Sequence, residues 1–498
     1  MTTLDALVAE LKEIATLGSV GSLLGWDEQV LLRPKGVEFR SQQSALIARM
    51  VHERFTSRQI GDWLGELLGG KLEGDAAVIV REAKRDYDRA TKLPTSLVEE
   101  ISRMTTLAQA AWVEARKAND YAQFAPWLTK VLDLRRQEAA CIGSPSGNAY
   151  DALLDQYEPG ETVASLVILF DDLKPRLAKL VEKILTSGKR SPAEILQRDY
   201  PADKQQALSK FAAEKIGYDF AAGRMDVSVH PFCSGIAPGD TRITTRYNSK
   251  YFGDALFGVL HETGHALYEQ GLPKDQHFGT ALADAASLGV HESQSRLWEN
   301  LVGRSAAFWK WLLPKTRETF PEALAGVSED QWLAAVNDVR PTFIRVEADE
   351  ATYNLHIALR FDLERKMLSG DLEVAAIPTV WNETFKQYFG LDVPDAARGC
   401  LQDVHWSAGL IGYFPTYTIG NLLAAQLYEA AERELGNLDD RHAAGEFVPL
   451  LGWLRTNVHQ HGRRYSGRQL CERATGSPLS ADALMRHLER KAAKFYGV

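Results

Sequence analysis

The sequence predicts a mostly α-helical protein that carries one small β-sheet. Apolar residues recur at helical spacing along most of the 498 residues, and the regions 4–16, 95–140 and 162–187 show the period near 3.6 that is typical of amphipathic helices. Strand-like alternation is limited to a short region after residue 240. No Pro/Ser-rich linker, low-complexity tract or internal repeat interrupts this pattern. We therefore expect a mostly α architecture built around one long cleft.

Helical patterns are clear near both ends of the sequence. The region 4–16 places Leu4, Leu7, Leu11 and Ile14 at helical spacing, and the region 479–497 shows the same pattern. The sheet is predicted from TRITTRYN (241–248), which alternates and is rich in β-branched residues. It follows a turn-forming APGD segment, and SVHPFCSG (228–235) lies just before that turn. We expect these two segments to pair.

Charge and cysteine content limit the classes of function. The formal net charge is −9, which argues against partners that are themselves negative, namely nucleic acids and anionic membranes. The four cysteines are scattered without a CxxC pair, so a reducing compartment fits better than a disulfide framework. The first residues lack the apolar core of a signal peptide, and no apolar run reaches the roughly 18 residues of a membrane span. We expect a soluble cytoplasmic protein.

The strongest chemical signal is His261-Glu262-Thr263-Gly264-His265 within LFGVLHETGHALYEQ (256–270). Histidines at i and i+4 lie on one face of a helix, so both imidazoles can reach one tetrahedral ion. Glu262 would then lie beside the open coordination position as a general base. The alternative is a core helix with two unliganded histidines, which carries a desolvation penalty. The motif therefore predicts a metal site.

A third ligand is expected from the helical segment AASLGVHESQSRLWEN (285–300). Both Glu292 and His291 are candidates, and we prefer Glu292 because zinc peptidases of this type use two histidines and a glutamate. A surface ion pair between Glu292 and Arg296 at i+4 is the competing interpretation. Asp284, eight residues before Glu292, is a candidate acceptor of a hydrogen bond from a ligating histidine.

A series of ordered motifs runs along nearly the whole chain: WDEQVLLRPKG (26–36), YDALLDQYEPG (150–160), HPF (230–232), DTRITTRY (240–247), HETGH (261–265), HES (291–293), IRVEAD (344–349), GCLQDVHW (399–406), GYFPTYTIGN (412–421) and NVHQHGRRYSGRQL (457–470). In this order they resemble the motifs of the thermostable carboxypeptidase Taq (M32) family of metallocarboxypeptidases.

The resemblance implies Glu292 as the third metal ligand. It also implies one catalytic domain over residues 1–498, with a helical fold and a deep groove like that of the neurolysin and angiotensin-converting-enzyme families. The N-terminal part, about 1–220, would form one groove wall, and 221–498 would carry the metal. A homodimer is typical of the family.

An exopeptidase must recognise the free carboxylate of its substrate, and the fork of an arginine matches two carboxylate oxygens. By resemblance Arg345 is the first candidate, with Arg242 and Arg246 as alternatives. A salt bridge from Arg345 to Glu347 or Asp349 is the competing interpretation. Arg242 is expected to support the sheet and the substrate backbone through Asp240.

The oxyanion of a tetrahedral intermediate needs hydrogen-bond donors. The resemblance to related helical zinc peptidases favours His405 with Tyr417, and Tyr413 remains an alternative for the tyrosine. His230 in HPF is expected either to contact substrate or to support the edge of the sheet.

We predict a zinc-dependent metallocarboxypeptidase that releases single C-terminal residues from peptides with broad specificity. Cobalt or manganese fits the same ligands. The first alternative is an oligoendopeptidase on the same scaffold, which would accept blocked C-termini. The second is a peptide-binding protein with an inactive site, against which the intact HExxH and HES motifs argue.

Overall fold

The computed structural model describes residues 2–498, which form 21 α-helices and one three-stranded sheet. The helices in the first half are α1 (Thr3–Val30), α2 (Val37–Phe55), α3 (Arg58–Leu68), α4 (Gly74–Lys92), α5 (Thr95–Ala118), α6 (Tyr121–Ile142), α7 (Ala149–Leu154), α8 (Val163–Thr186) and α9 (Ala202–Ile216). The strands β1 (Met225–Val227), β2 (Cys233–Ala237) and β3 (Asp240–Thr245) follow.

In residues 253–498 all regular secondary structure is helical. The α-helices there are α10 (Gly253–Gly271), α11 (Lys274–His277), α12 (Leu288–Arg296), α13 (Ala306–Thr319), α14 (Glu329–Val336), α15 (Tyr353–Ser369), α16 (Ile377–Phe389), α17 (Pro415–Leu435), α18 (Leu438–Ala443), α19 (Val448–Asn457), α20 (Gly467–Thr475) and α21 (Asp482–Tyr496). The predicted mostly α fold with a small sheet is confirmed. Among residues 2–498, no helix is long and apolar enough to cross a membrane.

The chain divides into two compact units, each assembled from three segments. Among the described residues, unit 1 comprises 2–90, 192–336 and 423–479, and unit 2 comprises 91–191, 337–422 and 480–498. The predicted groove, with residues 1–220 as one wall, stays a prediction.

Unit 1 contains the sheet, in the order β1-β3-β2. The predicted pairing of two segments is found as the antiparallel pair β2–β3, in which Cys233 lies opposite Ile243. Strand β1 adds a parallel edge, with Met225 opposite Ile243. A three-residue strand is too short to give an alternation signal, and β1 was therefore not predicted. Helix α10 packs against β2 and β3, and this contact positions the HExxH segment over the sheet.

Unit 2 is organised around α15, which packs against α6, α7, α8 and α16. The ring of Phe361 on α15 stacks on Phe170 at 4.8 Å and contacts Tyr150 edge-on at 5.7 Å. The region 95–140 was predicted as one helical run, but the structure divides it into α5 and α6. Asn119 causes this break, because it takes up a left-handed conformation with φ of 55° that ends α5.

Candidate metal centre and active site

The two histidines of the HExxH motif lie one turn apart on α10, with ring centroids separated by 4.8 Å. Apolar residues of the same helix, Leu256, Val259, Leu260 and Leu267, are fully or almost fully buried. Their burial fixes the helix in the core of unit 1 and thereby fixes the direction of the two imidazoles.

Three donor atoms converge at this point. The Nε2 atoms of His261 and His265 lie 3.7 Å and 3.4 Å from Oε2 of Glu292. We call His261, His265 and Glu292 the metal group. Each of the three offers one donor atom, and these atoms lie within 4.8 Å of one another. Two imidazole nitrogens and one carboxylate oxygen are the donor set of thermolysin-type zinc sites. The structure brings Glu292 into this group, whereas His291 lies beside His265 outside it.

Close packing of α10 on α12 makes the convergence possible. A Cβ atom built on Gly264 would lie 2.5 Å from the carbonyl oxygen of Gln294 and 2.6 Å from Cα of Ser295. Only a glycine lets the two backbones approach this closely. Gly264, the residue directly before His265, therefore determines how near Glu292 comes to the two histidines.

Arg296 holds the second oxygen of the proposed ligand. Its Nε donates to Oε1 of Glu292 at 2.7 Å, and its Nη1 donates to Oε2 of Glu299 at 3.1 Å. The predicted pairing of Glu292 with Arg296 is therefore present together with the metal group, and the two are not alternatives. With Oε1 occupied, Oε2 is the oxygen that faces the histidines.

Glu299 orients His261 from the segment Leu297–Val302, which winds as a π-helix directly after α12. Its Oε2 lies 2.9 Å from Nδ1 of His261. Because a carboxylate only accepts, His261 carries its proton on Nδ1 and presents Nε2 to the metal group. The structure assigns to Glu299 the role that the sequence analysis gave to Asp284. The spacing of seven residues from Glu292 was the available signal, because it repeats one helical face.

His265 and Glu292 are held in the protonation states that metal ligands need, whereas His261 lies among carboxylates that attract positive charge. Burial lowers the pKa of His265 to about 4, so its imidazole is neutral at physiological pH. Burial alone would raise the pKa of Glu292, but Arg296 and the two histidines hold it well below the ordinary value. For His261, burial is overcome by Glu292 and Glu299, which raise its pKa. The same carboxylates that attract a proton there attract a metal cation.

Glu262 is buried beside the ligands. Burial raises its pKa to about 7, with His261 acting in the opposite direction. A carboxylate with a pKa near neutrality can both accept and return a proton, which is the requirement for a general base that later acts as an acid. This property suits the predicted role of Glu262.

The sheet residues proposed for substrate contact have defined surroundings. Arg242 forms a two-fold hydrogen bond with Asp240, at 2.8 Å and 2.7 Å. Its guanidinium also lies over the ring of buried Trp26, 4.6 Å from the centroid. Arg242 therefore pairs with Asp240 as expected, and its contact with the substrate stays a prediction. His230 is exposed, and its backbone carbonyl accepts a hydrogen bond from Ser228 at 2.6 Å.

In unit 2, Arg345 belongs to a buried cluster of charges. Its Nη2 and Nε donate to Oδ1 of Asp403 at 2.9 Å and 3.1 Å, and its Nη1 donates to the hydroxyl of Tyr353 at 2.9 Å. The Nε of Arg360 donates to the other oxygen of Asp403 at 2.6 Å. One carboxylate thus faces two guanidinium groups, and this triad carries one excess positive charge.

The competing interpretation of Arg345 as the partner of Glu347 or Asp349 is wrong. Asp403 takes that place, and the carboxylate of Asp349 instead accepts from the backbone of Ala351 and the hydroxyl of Thr352 at the start of α15. Asp403 lies 58 residues from Arg345, and no local spacing pattern indicates such a pair.

The predicted oxyanion donors lie together in the same unit. Nε2 of His405 lies 3.4 Å from the hydroxyl of Tyr417, and the ring of Tyr413 lies 5.5 Å from both the imidazole and the ring of Tyr417. Burial lowers the pKa of His405 to about 3, and Arg345 and Arg360 act in the same direction, against Asp403. His405 is therefore neutral, with a single proton to donate.

Glu364 fixes the segment that carries these donors. Its carboxylate is fully buried on α15. It accepts hydrogen bonds from the hydroxyl of Tyr150 at 2.8 Å, from Nε1 of Trp406 at 3.1 Å and from the backbone nitrogen of Gly412 at 3.1 Å. Trp406 and Gly412 are the neighbours of His405 and Tyr413 in the chain. Glu364 therefore ties both sides of this segment to the central helix of unit 2.

The fold and the candidate metal group together define a class: a largely helical, HExxH-containing metallopeptidase in which a glutamate lies beside the two histidines. Comparison with known proteins narrows this class. Residues 6–492 match the sequence model of the carboxypeptidase Taq (M32) metallopeptidase family. The chain therefore belongs to this family. It is a metallocarboxypeptidase, and membership implies a divalent metal ion.

Individual relatives agree with this assignment. The chain is 46% identical to thermostable carboxypeptidase 1 of Thermus thermophilus, over 98% of this chain and 97% of that protein. It is 36% identical to carboxypeptidase 1 of Bacillus subtilis, with 98% and 97% covered. Its fold is similar to the crystal structure of an M32 carboxypeptidase from Deinococcus radiodurans R1, with a TM-score of 0.97, 41% identity and full coverage of both chains. The family assignment disfavours the oligoendopeptidase alternative.

Proposed function

We propose that this metallocarboxypeptidase uses zinc, held by His261, His265 and Glu292, to release single residues from the free C-termini of peptides with broad specificity. One observation carries the proposal: two imidazole nitrogens and one carboxylate oxygen converge on α10 and α12 next to buried Glu262. Cobalt and manganese accept the same donors, so metal analysis of the purified protein tests the choice of zinc.

His261, His265 and Glu292 would hold the zinc ion, which would supply Lewis-acid chemistry toward the scissile carbonyl and make a nearby water more acidic. Glu262 removes the proton from that water and then transfers it to the amine that leaves. The pKa of Glu262, which burial raises to about 7, supports both halves of this role. Glu299 holds the proton of His261 on Nδ1 throughout.

Arg345 is proposed to bind the carboxylate at the end of the substrate. The support is the charge count of its surroundings, in which Asp403 faces two arginines and one positive charge is left without a carboxylate partner within the triad. A buried excess charge of this sign favours an incoming anion. The guanidinium is also fixed in direction by Asp403 and Tyr353, so little side-chain entropy is lost when the anion binds.

His405 and Tyr417 are proposed as the donors to the oxyanion, with Tyr413 as the alternative tyrosine. Their mutual contact and the neutral state of His405 support this role, because a neutral imidazole can donate one hydrogen bond while its other nitrogen carries no proton. Arg242 on β3 and His230, in the segment between β1 and β2, are proposed to contact the substrate.

The function is tested by digesting a long unblocked peptide and following the products over time by mass spectrometry. Carboxypeptidase action gives a ladder of single losses from the C-terminus, and the same peptide with a C-terminal amide is degraded far more slowly. The variant Glu262→Gln is the negative control, because it is expected to lose activity. Internal fragments from both peptides would contradict the proposal and support an endopeptidase.

We also propose that the protein works as a homodimer in the cytoplasm. Helix α2 has no buried residue, and its Phe39, Leu46 and Met50, which share one helical face by their spacing, are exposed. An exposed apolar face of this kind is typical of protein contacts. All four cysteines are free, which suits a reducing compartment. Light scattering of the wild type and of Phe39→Glu tests the dimer, since a monomeric wild type would contradict it.

A further inference from the structure

The second histidine of the metal group is held by a different kind of partner from the first. Nδ1 of His265 forms a hydrogen bond with Nδ1 of His291. On the other side of that ring, Nε2 of His291 lies 2.9 Å from Oε1 of Glu269. The other oxygen of Glu269 pairs with the ammonium group of Lys274. A continuous series of two hydrogen bonds and one ion pair therefore runs from His265 through His291 and Glu269 to Lys274.

The direction of each hydrogen bond follows from what its members can donate. Glu269 is held ionised: burial opposes this, but hydrogen bonding to His291 and the charge of Lys274 lower its pKa to about 2. It can therefore only accept, and the proton of His291 lies on Nε2. The metal group uses Nε2 of His265, so the proton of this ring lies on Nδ1, which donates to Nδ1 of His291. The lone pair of His265 is left on Nε2, the atom that faces Glu292.

The opposite arrangement would disable the ligand. If His291 donated from Nδ1, His265 would have to accept there and carry its proton on Nε2, where the metal binds. Glu269 favours the first arrangement, because it accepts a hydrogen bond from the far nitrogen of His291. His261 needs no such intermediary, because Glu299 contacts its Nδ1 directly.

We propose that His291 and Glu269 are positioning residues that fix the proton of His265 on Nδ1 and so prepare Nε2 to bind the metal. The inference rests on the proposed metal group but concerns residues outside it. Each member of the series acts through the next, and neither His291 nor Glu269 is a ligand. Partners of this kind, which orient a ligand and raise its basicity, commonly change metal affinity by about 10- to 100-fold.

The surroundings keep this series in place and shielded. A Cβ atom built on Gly235 of β2 would lie 2.1 Å from Oε2 of Glu269 and 2.9 Å from Nζ of Lys274, so the strand backbone closes directly over the ion pair. The ring of Tyr268 lies 5.2 Å from that of His291. The side chains of His291, Glu269 and Lys274 are 18%, 16% and 11% exposed. Water has little access, and hydrogen bonds between charged groups are strong in such places.

The experiment measures metal dissociation constants by competition with a chelator, on purified apoprotein titrated with zinc. The two main variants are His291→Leu and His291→Asn, which are similar in size. Oδ1 of asparagine is bonded to Cγ, as Nδ1 of histidine is, and can accept the proton of His265, whereas leucine cannot. We expect binding weakened by about 10- to 100-fold in the leucine variant and substantially recovered in the asparagine variant. Glu269→Gln should weaken binding to an intermediate extent.

Unit 2 offers a matched control. Nε2 of His487 lies 2.9 Å from Glu350, and Glu350 pairs with Lys491, so the same three residue types are joined in the same order. All three proposed ligands belong to unit 1. His487→Leu should therefore leave the zinc dissociation constant unchanged, although it disrupts an equivalent set of contacts. A loss in His487→Leu as large as in His291→Leu would mean that the effect is general destabilisation, and would overturn the inference.

Two further outcomes are decisive. Equal losses in His291→Leu and His291→Asn, or wild-type affinity in both, would overturn the positioning role. His265→Ala separates this result from a failure of the proposed function, because it should lose far more affinity than any variant of His291. If His265→Ala bound zinc like the wild type, the proposed metal group itself would be wrong. Absorption spectra of cobalt-substituted His291→Asn and wild type should match in band position if the ligands keep their geometry.

Discussion

Oε2 of Glu292 lies 3.4 Å from Nε2 of His265, while the other oxygen of the same carboxylate is held by Arg296 at 2.7 Å. A carboxylate fixed in this way offers one oxygen in a set direction. The metal group therefore depends on α12 as much as on the HExxH helix, and the two helices can be tested separately.

Glu292→Ala should lower zinc affinity strongly. Two histidines remain in this variant, and two ligands are too few to retain zinc against a chelator. The substitution also removes the negative charge that faces Arg296. The net charge near the site becomes more positive, which opposes the binding of a cation. Zinc content after dialysis against a chelator is the measurement. Wild-type zinc content in Glu292→Ala would mean that the third ligand is a residue other than Glu292.

Glu262→Gln should keep its zinc and lose activity by a factor of about 10² to 10⁴, since the general base is removed and the ligands remain. Metal content and kcat/KM are measured on the same preparation. Glu262→Asp keeps the base but withdraws it by one methylene, and it should retain more activity than the glutamine variant. A fully active glutamine variant would remove Glu262 from the mechanism.

Gly264→Ala should destabilise unit 1 and weaken metal binding together. The new methyl group would meet the backbone of α12 at 2.5 Å, and such overpacking costs about 1–3 kcal/mol. Gly258→Ala on the same helix is the matched control, because a Cβ there has no neighbour within 4 Å. It should be neutral or stabilising by up to about 1 kcal/mol. Denaturant unfolding of both variants, followed by zinc titration, checks the contrast, and equal behaviour would contradict it.

Glu364 should make the stability of the protein depend on pH. Burial raises its pKa to about 7 in the folded state, from an ordinary value of 4.5. The folded protein binds this proton more tightly, so the stabilisation is complete below pH 4.5 and is lost as pH rises through about 7. The loss is on the order of 3 kcal/mol.

Glu364→Gln tests this dependence, because glutamine does not titrate. The variant is expected to be less stable at low pH, since its amide nitrogen faces groups that donate hydrogen bonds in the wild type. The difference in unfolding free energy between wild type and variant should shrink as pH rises from 5 to 8. A difference that stays constant across this range would show that Glu364 is ionised throughout.

Local spacing explains what the sequence could predict. The HExxH motif and the helices that carry it follow from periodicity, because residues one turn apart must share a face. Glu269 stands four residues after His265, so the same rule offered a signal that was not used. The π-helical turn after α12 could not be foreseen, yet it carries Glu299. The break after α5 had a signal in Asn119 followed by Asp120, a typical helix end and helix start.

Long-range pairs explain what the sequence could not predict. Arg345 was expected either to be free for substrate or to pair within its own segment, and its actual partner Asp403 comes from a distant motif. Gly264 gives a second example. A side chain is excluded at this position by the backbone of α12, which is distant in sequence. Resemblance to a family locates such motifs but does not reveal which of them touch.

Arg345→Ala should impair cleavage of free-acid peptides far more than of the matching C-terminal amides. A charge-assisted contact between a guanidinium and a carboxylate contributes roughly 1.5–3 kcal/mol, so kcat/KM for acids should fall by about tenfold to a hundredfold or more. Arg345→Lys should recover only part of this loss, since lysine keeps the charge but not the fork.

Arg345→Ala is also expected to lower the stability of the protein, and Arg136→Ala is the control for this effect. Removing Arg345 also takes one of two arginines from Asp403, so a lower melting temperature is expected whatever the role in binding. Arg136→Ala in the same unit removes hydrogen bonds to the backbone of Met367 and Leu368 and provides a variant with a purely structural effect. It should slow acids and amides equally. If Arg345→Ala did the same, substrate recognition would belong to another arginine, with Arg242 and Arg246 the next to be tested.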